Sequence, residues 1–251
     1  MRATKTNTAF ITVDTYNDEH KTGVFRWSAE MFRIPVIYCD KNTPWKGSFH
    51  HKIELMYPRL LELKRSGIEF VFVLDCRDVV FINPIEVILE KLNSINTGKA
   101  IFNKDIPGVA LHSRCHVLTE DMKNAMGSKY ANLNAGAIAS HIDTLLTIQE
   151  HAKRLRNEFL AGTKQYGNTN RKLCEHDQHI YQVCLVHYPH LFQIDYDKKL
   201  FALLFRFPDH LNGCSSDPHK MSVINEAGII HAPLPARTEK WHGWVKEVIK
   251  K

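Results

Sequence analysis

The chain has 251 residues, 44% of them apolar and 24% charged, with a formal net charge of +6. That is room for one large domain or two small ones around a sizeable core, and the composition excludes a disordered or fibrous protein. The basic excess fits an anionic ligand such as a nucleotide diphosphate; it fits nucleic acid too, and does not decide between them.

No stretch approaches the ~18 consecutive apolar residues of a transmembrane helix. The N-terminus lacks the apolar core of a secretory signal, so a soluble, cytoplasmic protein is expected. The six cysteines (Cys39, Cys76, Cys115, Cys174, Cys184 and Cys214) form no C-x-x-C pair. They read as free thiols in a reducing compartment rather than as a zinc site or a disulfide framework.

In chain order, residues 9–13 (Ala-Phe-Ile-Thr-Val) predict a first strand, about 23–32 a helix, and 34–38 a second strand. Residues 51–65 carry Ile53, Leu55, Met56, Leu60, Leu61 and Leu63 at helical spacing, with Pro58 expected to kink or divide the segment. Residues 69–74 are apolar without a break from Phe70, the mark of a strand covered on both faces. Asn83-Pro84 then predicts an N-cap with proline at the first helical position. Ile85, Ile88, Leu89 and Leu92 follow on one helical face. Further strands are expected at 100–102 and 136–139, a helix capped by Asp143 reaching about Phe159, and a polar loop over 160–173. A helix over 176–186, short strands near 191–204 and 227–231, and a basic helix from about Lys240 complete the chain. This alternation predicts an α/β fold with a mostly parallel, Rossmann-like central sheet flanked by helices. We expect a single domain over 1–251, with a nucleotide-binding half at about 1–110 and a smaller acceptor-side half at about 111–251.

Asp75 and Asp78 stand three residues apart directly after the buried strand. Ligands of open α/β sheets bind at the carboxyl ends of the strands. Two carboxylates held close repel, and a hard divalent cation of the Mg/Mn type relieves that repulsion while bridging phosphates. A plain turn after a strand also favours Asp, and on this pair alone the two readings stay open.

Several blocks resemble the GT-A glycosyltransferases, in particular the glycosyltransferase domain of the procollagen lysyl hydroxylases and, more distantly, glycogenin. Residues 70–80 are similar to the family's apolar strand ending in D-x-x-D. Leu133-Asn134-Ala135-Gly136-Ala137-Ile138 is similar to LNSGGFIG, and Asp177-Gln178-His179 to the DDQ block. Ile229-Ile230-His231 is similar to the late histidine segment. Pro44-Trp45-Lys46-Gly47 resembles an E-W-R-G segment, and residues 194–201 resemble LDxxxxIFQ. The matching order spans about residues 8–245.

The resemblance implies a metal-dependent transfer of a sugar from a nucleotide-sugar donor, a UDP-hexose, to a hydroxyl. Asp75, Asp78 and His231 would hold Mn2+ or Mg2+, and the imidazole suits Mn better. Asp75, Lys52, Asn134, Ala135 and Gly136 would lie against the donor, as would Arg237, with Lys240 as its rival. Thr12, Val13, Asp14 and Tyr16 at the end of the first strand would meet base and ribose. Asp177 and Gln178 would lie beside the reacting sugar, with Asp177 or Glu175 as the base if the reaction inverts. The chain departs from the pattern at Ala135, Ala137 and the residues after His231, changes that bear on the sugar and the acceptor more than on the metal. Protein, saccharide and hydroxylated DNA base are the acceptor classes considered. The other readings are a nucleotidyltransferase, against which the residues after the first strand show no Gly-rich loop, and a catalytically silent binding module.

Overall fold

A computed structural model describes residues 2–15, 19–39, 41, 43–95, 97–105, 133–164, 173–203, 227–231 and 243. Six strands form the main sheet: β1 (Thr8–Val13), β2 (Val36–Cys39), β3 (Phe70–Asp75), β5 (Ala100–Lys104), β6 (Leu133–His141) and β7 (Phe192–Asp195), in the order β2-β1-β3-β6-β5-β7. β1 runs parallel to β2 and β3, and β5 parallel to β7; β6 alone is antiparallel to its neighbours. A small sheet, β4 (Val79–Phe81), β9 (Ile229–His231) and β8 (Phe201–Leu203), follows directly on β3. The α/β layout expected from the sequence, a mostly parallel sheet flanked by helices, is therefore present. The main sheet draws strands from both sides of residue 110.

The unbroken apolar run of β3 is explained by its two faces. Val71 and Val73 pack with Ile11, Ile53, Met56, Leu60, Leu145 and Ile148, under α2 (Met56–Arg65) and α4 (Ile142–Leu160). Phe70, Phe72 and Leu74 pack on the other side with Phe10, Phe25, Phe81, Ile88 and Phe201, under α1 (Glu19–Met31), α3 (Ile85–Ile95) and the small sheet. Phe10 and Phe72 stack at 4.5 Å. Each such side chain contributes roughly 1.5–3 kcal/mol on burial.

Several element bounds differ from expectation. α1 runs through Gly23 and begins at Glu19, and β2 starts at Val36 instead of Ile34. β6 is longer than residues 136–139 because Leu133 and Asn134 pair with Lys104 and Asn103, and Ser140 and His141 pair with Val71 and Phe70. Pairing on both sides overrides the weak strand preference of its small residues. The cap of α4 is His141, whose Nδ1 accepts from the Asp143 amide at 3.4 Å; Asp143 sits in the first turn. The Asn83 amide donates to the Ala227 carbonyl at 2.7 Å, tying the start of α3 to the small sheet. The segment changes form between Leu55 and Met56, ahead of Pro58: a π-helical turn, His50–Leu55, precedes α2. Pro58 itself lies in the first turn of α2, where a missing N–H is tolerated. Residues 165–172 of the predicted loop, and the basic helix from Lys240 apart from Gly243, lie outside the described residues.

Candidate metal centre and cleft

Asp75 ends β3, Asp78 closes the turn into β4, and His231 ends β9 directly opposite Val79. One ligand atom from each lies within 4.8 Å of the other two. His231 Nε2 is 3.4 Å from Asp78 Oδ1. That oxygen is buried and has no hydrogen bond of ordinary geometry. Two carboxylate oxygens and an imidazole nitrogen, one of them buried and unsatisfied, are a donor set that fits a divalent cation.

The charge balance points the same way. The Lys52 ammonium, carried on the π-helical turn, reaches Asp75 Oδ1, and it lies 3.0 Å from Asp177 Oδ2. It also donates to the Ala135 carbonyl at 3.4 Å. Burial acts to lower the Lys52 pKa, but Asp177 and Asp75 outweigh it and hold the group protonated. Asp177 is kept below the usual carboxylate range: burial pushes it up, and Lys52 with the Ser48 hydroxyl more than offset that. Asp75 behaves differently. Burial pushes it up to about 6 even beside Lys52, because Asp78 and Asp177 repel its charge. Asp78 is lowered: burial pushes it up, and His231 together with Lys52 and Arg77 more than offsets that. Lys52 thus contacts two of the three carboxylates, Asp78 leans mainly on His231, and the repulsion between Asp75 and Asp78 favours a further cation.

A cleft of about 210 Å³ opens on this corner, lined by Val13, Trp45, Ser48, Lys52, Asp75, Cys76, Arg77, Asp78 and Asp177. Gly47 has φ +111°, a conformation suited to glycine, and the turn it makes carries Trp45 and Ser48. The Ser48 hydroxyl accepts from the Asp177 amide at 3.0 Å. Asp177 is the first residue of α5 (Asp177–His187), where the helix dipole also favours its charge. Gln178 follows, its amide donating to Asp105 Oδ2 at 3.1 Å. Trp45 is half exposed and stacks on His51 at 4.8 Å.

The expected residues are placed differently. Asp75, Asp78, His231, Lys52, Ala135 and Asp177 come together, with Val13 on the cleft wall and Gln178 beside Asp177. Thr12 and Asp14 are near in the fold but engaged: the Thr12 hydroxyl donates to the Leu74 carbonyl at 2.6 Å, and Asp14 is fully buried with Arg26 at 2.5 Å. Glu175 stands outside the cleft lining, held by Arg156 at 2.6 Å. Tyr16, Arg237 and Lys240 lie outside the described residues. Asn134 is buried, its Oδ1 accepting from the Gly136 amide at 2.8 Å, and Gly136 faces the His231 ring. Sequence reasoning passed over Ser48, Asn103 and Asp105. Of these only Asn103 carried a signal, a polar residue continuing the apolar stretch 100–102.

Among the described residues, no helix is long and apolar enough to cross a membrane. Comparison with family models and with curated proteins gives no match. Among solved structures, the chain is similar to a glycosyltransferase involved in the glycosylation of the major capsid of PBCV-1. The likeness covers 97% of this chain and 99% of that one, at a TM-score of 0.48 and 12% sequence identity.

Proposed function

We propose that this chain is a metal-dependent glycosyltransferase that moves a hexose from a UDP-sugar to a hydroxyl acceptor. The observation that carries the reading is the meeting of Asp75, Asp78 and His231 at the carboxyl end of β3, at the wall of a cleft that also holds Lys52 and Asp177. Its particular likeness to the lysyl hydroxylase domain rests on the sequence blocks alone.

In this reading Asp75, Asp78 and His231 hold Mn2+ or Mg2+. When bound, the ion supplies charge stabilisation to the diphosphate as it leaves. Lys52 adds a fixed positive charge on the same side, and its contact with Asp177 keeps that carboxylate ionised beside the sugar. A charged Asp177 serves as proton acceptor if the reaction inverts, and as a fixed electrostatic partner if it retains. Gln178 orients the acceptor side. Val13 and Tyr16 meet base and ribose, and the buried Thr12 and Asp14 hold that strand end in place; Asn134 and Ala135 meet the donor sugar, and Arg237 meets its phosphates. The acceptor hydroxyl belongs to a protein, a saccharide or a hydroxylated base in DNA.

Thermal unfolding with UDP and UDP-sugars, with and without Mn2+, tests the reading. Metal-dependent stabilisation of roughly 5–10 °C is expected at a hundredfold excess over Kd. Slow release of UDP and free sugar should accompany it. No metal-dependent shift with any nucleotide sugar, or release of pyrophosphate from a nucleoside triphosphate instead, would overturn it. Asp75→Ala and Asp78→Ala should each remove the Mn2+-dependent shift and turnover while the chain still folds.

A further inference from the structure

The ring of His231 sits in a break of the main sheet. β5 and β6 pair as Phe102 with Ile138 and then as Asn103 with Asn134, so residues 135–137 of β6 have no partner on β5. The Asn134 side chain braces this bulge through its 2.8 Å bond to the Gly136 amide. Gly136 stands over the imidazole. A Cβ there would lie 2.2 Å from His231 Cε1 and 2.4 Å from Nε2, far inside any van der Waals contact. A side chain at 136 and the observed ring position are mutually exclusive.

The other nitrogen of the ring faces Asn103. Nε2 points to Asp78, and Nδ1 is 3.5 Å from Asn103 Nδ2. Asn103, Asn134 and His231 are all buried, and Asn103 Oδ1 has no hydrogen-bond partner. A histidine that ligates through Nε2 must carry its proton on Nδ1, and a hydrogen-bond acceptor there fixes that tautomer and the ring orientation. Turning the Asn103 amide about its terminal bond exchanges its two ends and brings the unpartnered oxygen to Nδ1.

We propose that Gly136 and Asn103 are positioning residues for His231. Gly136 provides the slot for the ring, and Asn103 accepts the Nδ1 proton so that Nε2 is left for a divalent cation. The proposal rests on the metal reading above and reassigns Gly136 from a donor-sugar contact to support of a ligand.

The test uses the full chain and Mn2+ alone, titrated calorimetrically. Gly136→Ala should lower Mn2+ affinity to the level of His231→Ala. Asn103→Leu should lower it by roughly 10–100-fold, and Asn103→Asp, which keeps an acceptor, should restore it to within a few-fold. Two further readouts separate positioning from general damage. Gly136→Ala should reduce Tm in the wild-type background but not when His231 is already alanine. In Zn2+-loaded protein with 15N-labelled histidine, His231 should carry its proton on Nδ1. Affinity lost in His231→Ala but kept in both Gly136→Ala and Asn103→Leu would overturn the positioning roles and leave the metal site standing. Wild type that binds no Mn2+, or binds it as well without His231, would overturn the metal reading itself.

Discussion

Lys52 touches Asp75 and Asp177 with one buried ammonium; Asp177 is buried with it, and Asp75 is partly exposed at the cleft. Lys52→Met should therefore destabilise the metal-free protein by roughly 3 kcal/mol, since removing one partner of a buried ion pair leaves uncompensated charge. Mn2+ should recover part of that loss; urea melts with and without the ion check both, and a variant as stable as wild type would refute the role of Lys52 in balancing these carboxylates. His179 gives a pH-dependent case. Burial, with a smaller push from His176, holds its imidazole down to about 4. The folded state thus binds this proton less readily than the unfolded chain. Its stability is full above the ordinary histidine value of about 6.5 and falls as pH drops toward 4, by up to about 3 kcal/mol. Wild type should lose more stability than His179→Gln between pH 7.5 and 5 in urea melts. At this scale the sequence was uneven to read. Asp75 and Asp78 are legible because they stand three residues apart directly after an apolar run. Lys52 and His231 are legible only through the order of motifs. Asn103 was missed because a polar residue after 100–102 reads as the end of a strand, and only cross-strand geometry sets it beside His231.

The elements around the cleft are held by a few local devices. Gly47→Ala would force a side chain into φ +111°, at a cost of roughly 1–3 kcal/mol, and would shift the turn that carries Trp45 and Ser48. A lower Tm together with weaker nucleotide-sugar binding is expected from thermal shift. Ser28 on α1 accepts from the Phe81 amide at 3.2 Å and donates to the Phe25 carbonyl at 2.9 Å, coupling α1 to β4. Ser28→Ala leaves a buried amide unpaired and should cost about 1–3 kcal/mol in denaturant melts. The α/β layout was readable from apolar runs, because β3 must be apolar on both faces to lie between two layers. The length of β6 was not. Asn134, Ala135, Gly136 and Ala137 have low strand preference, and their place comes from partners far along the chain. The π-helical turn was half visible, since Pro58 announces an interruption without saying where it falls or what form it takes.

At the scale of the whole molecule, two short chain links among the described residues carry one sheet into the other. One starts from Asp195 at the end of β7, whose carboxylate accepts from the amides of Lys199, Leu200 and Phe201 at 3.1, 2.8 and 2.8 Å and so fixes the start of β8. Asp195→Ala should destabilise the protein by roughly 2–4 kcal/mol and Asp195→Asn by less, as denaturant melts would record. The other is the turn Cys76–Asp78, where the chain leaves the main sheet at Asp75 and enters the small one at Val79. The three candidate ligands straddle that seam: Asp75 belongs to the large sheet, His231 to the small one, and Asp78 to the link between them. An ion at this corner would act as a rivet, opposing any slippage of one sheet against the other. Amide hydrogen exchange at Val79–Phe81 and Ile229–His231 should then slow on adding Mn2+, while α2, remote from the seam, exchanges as before.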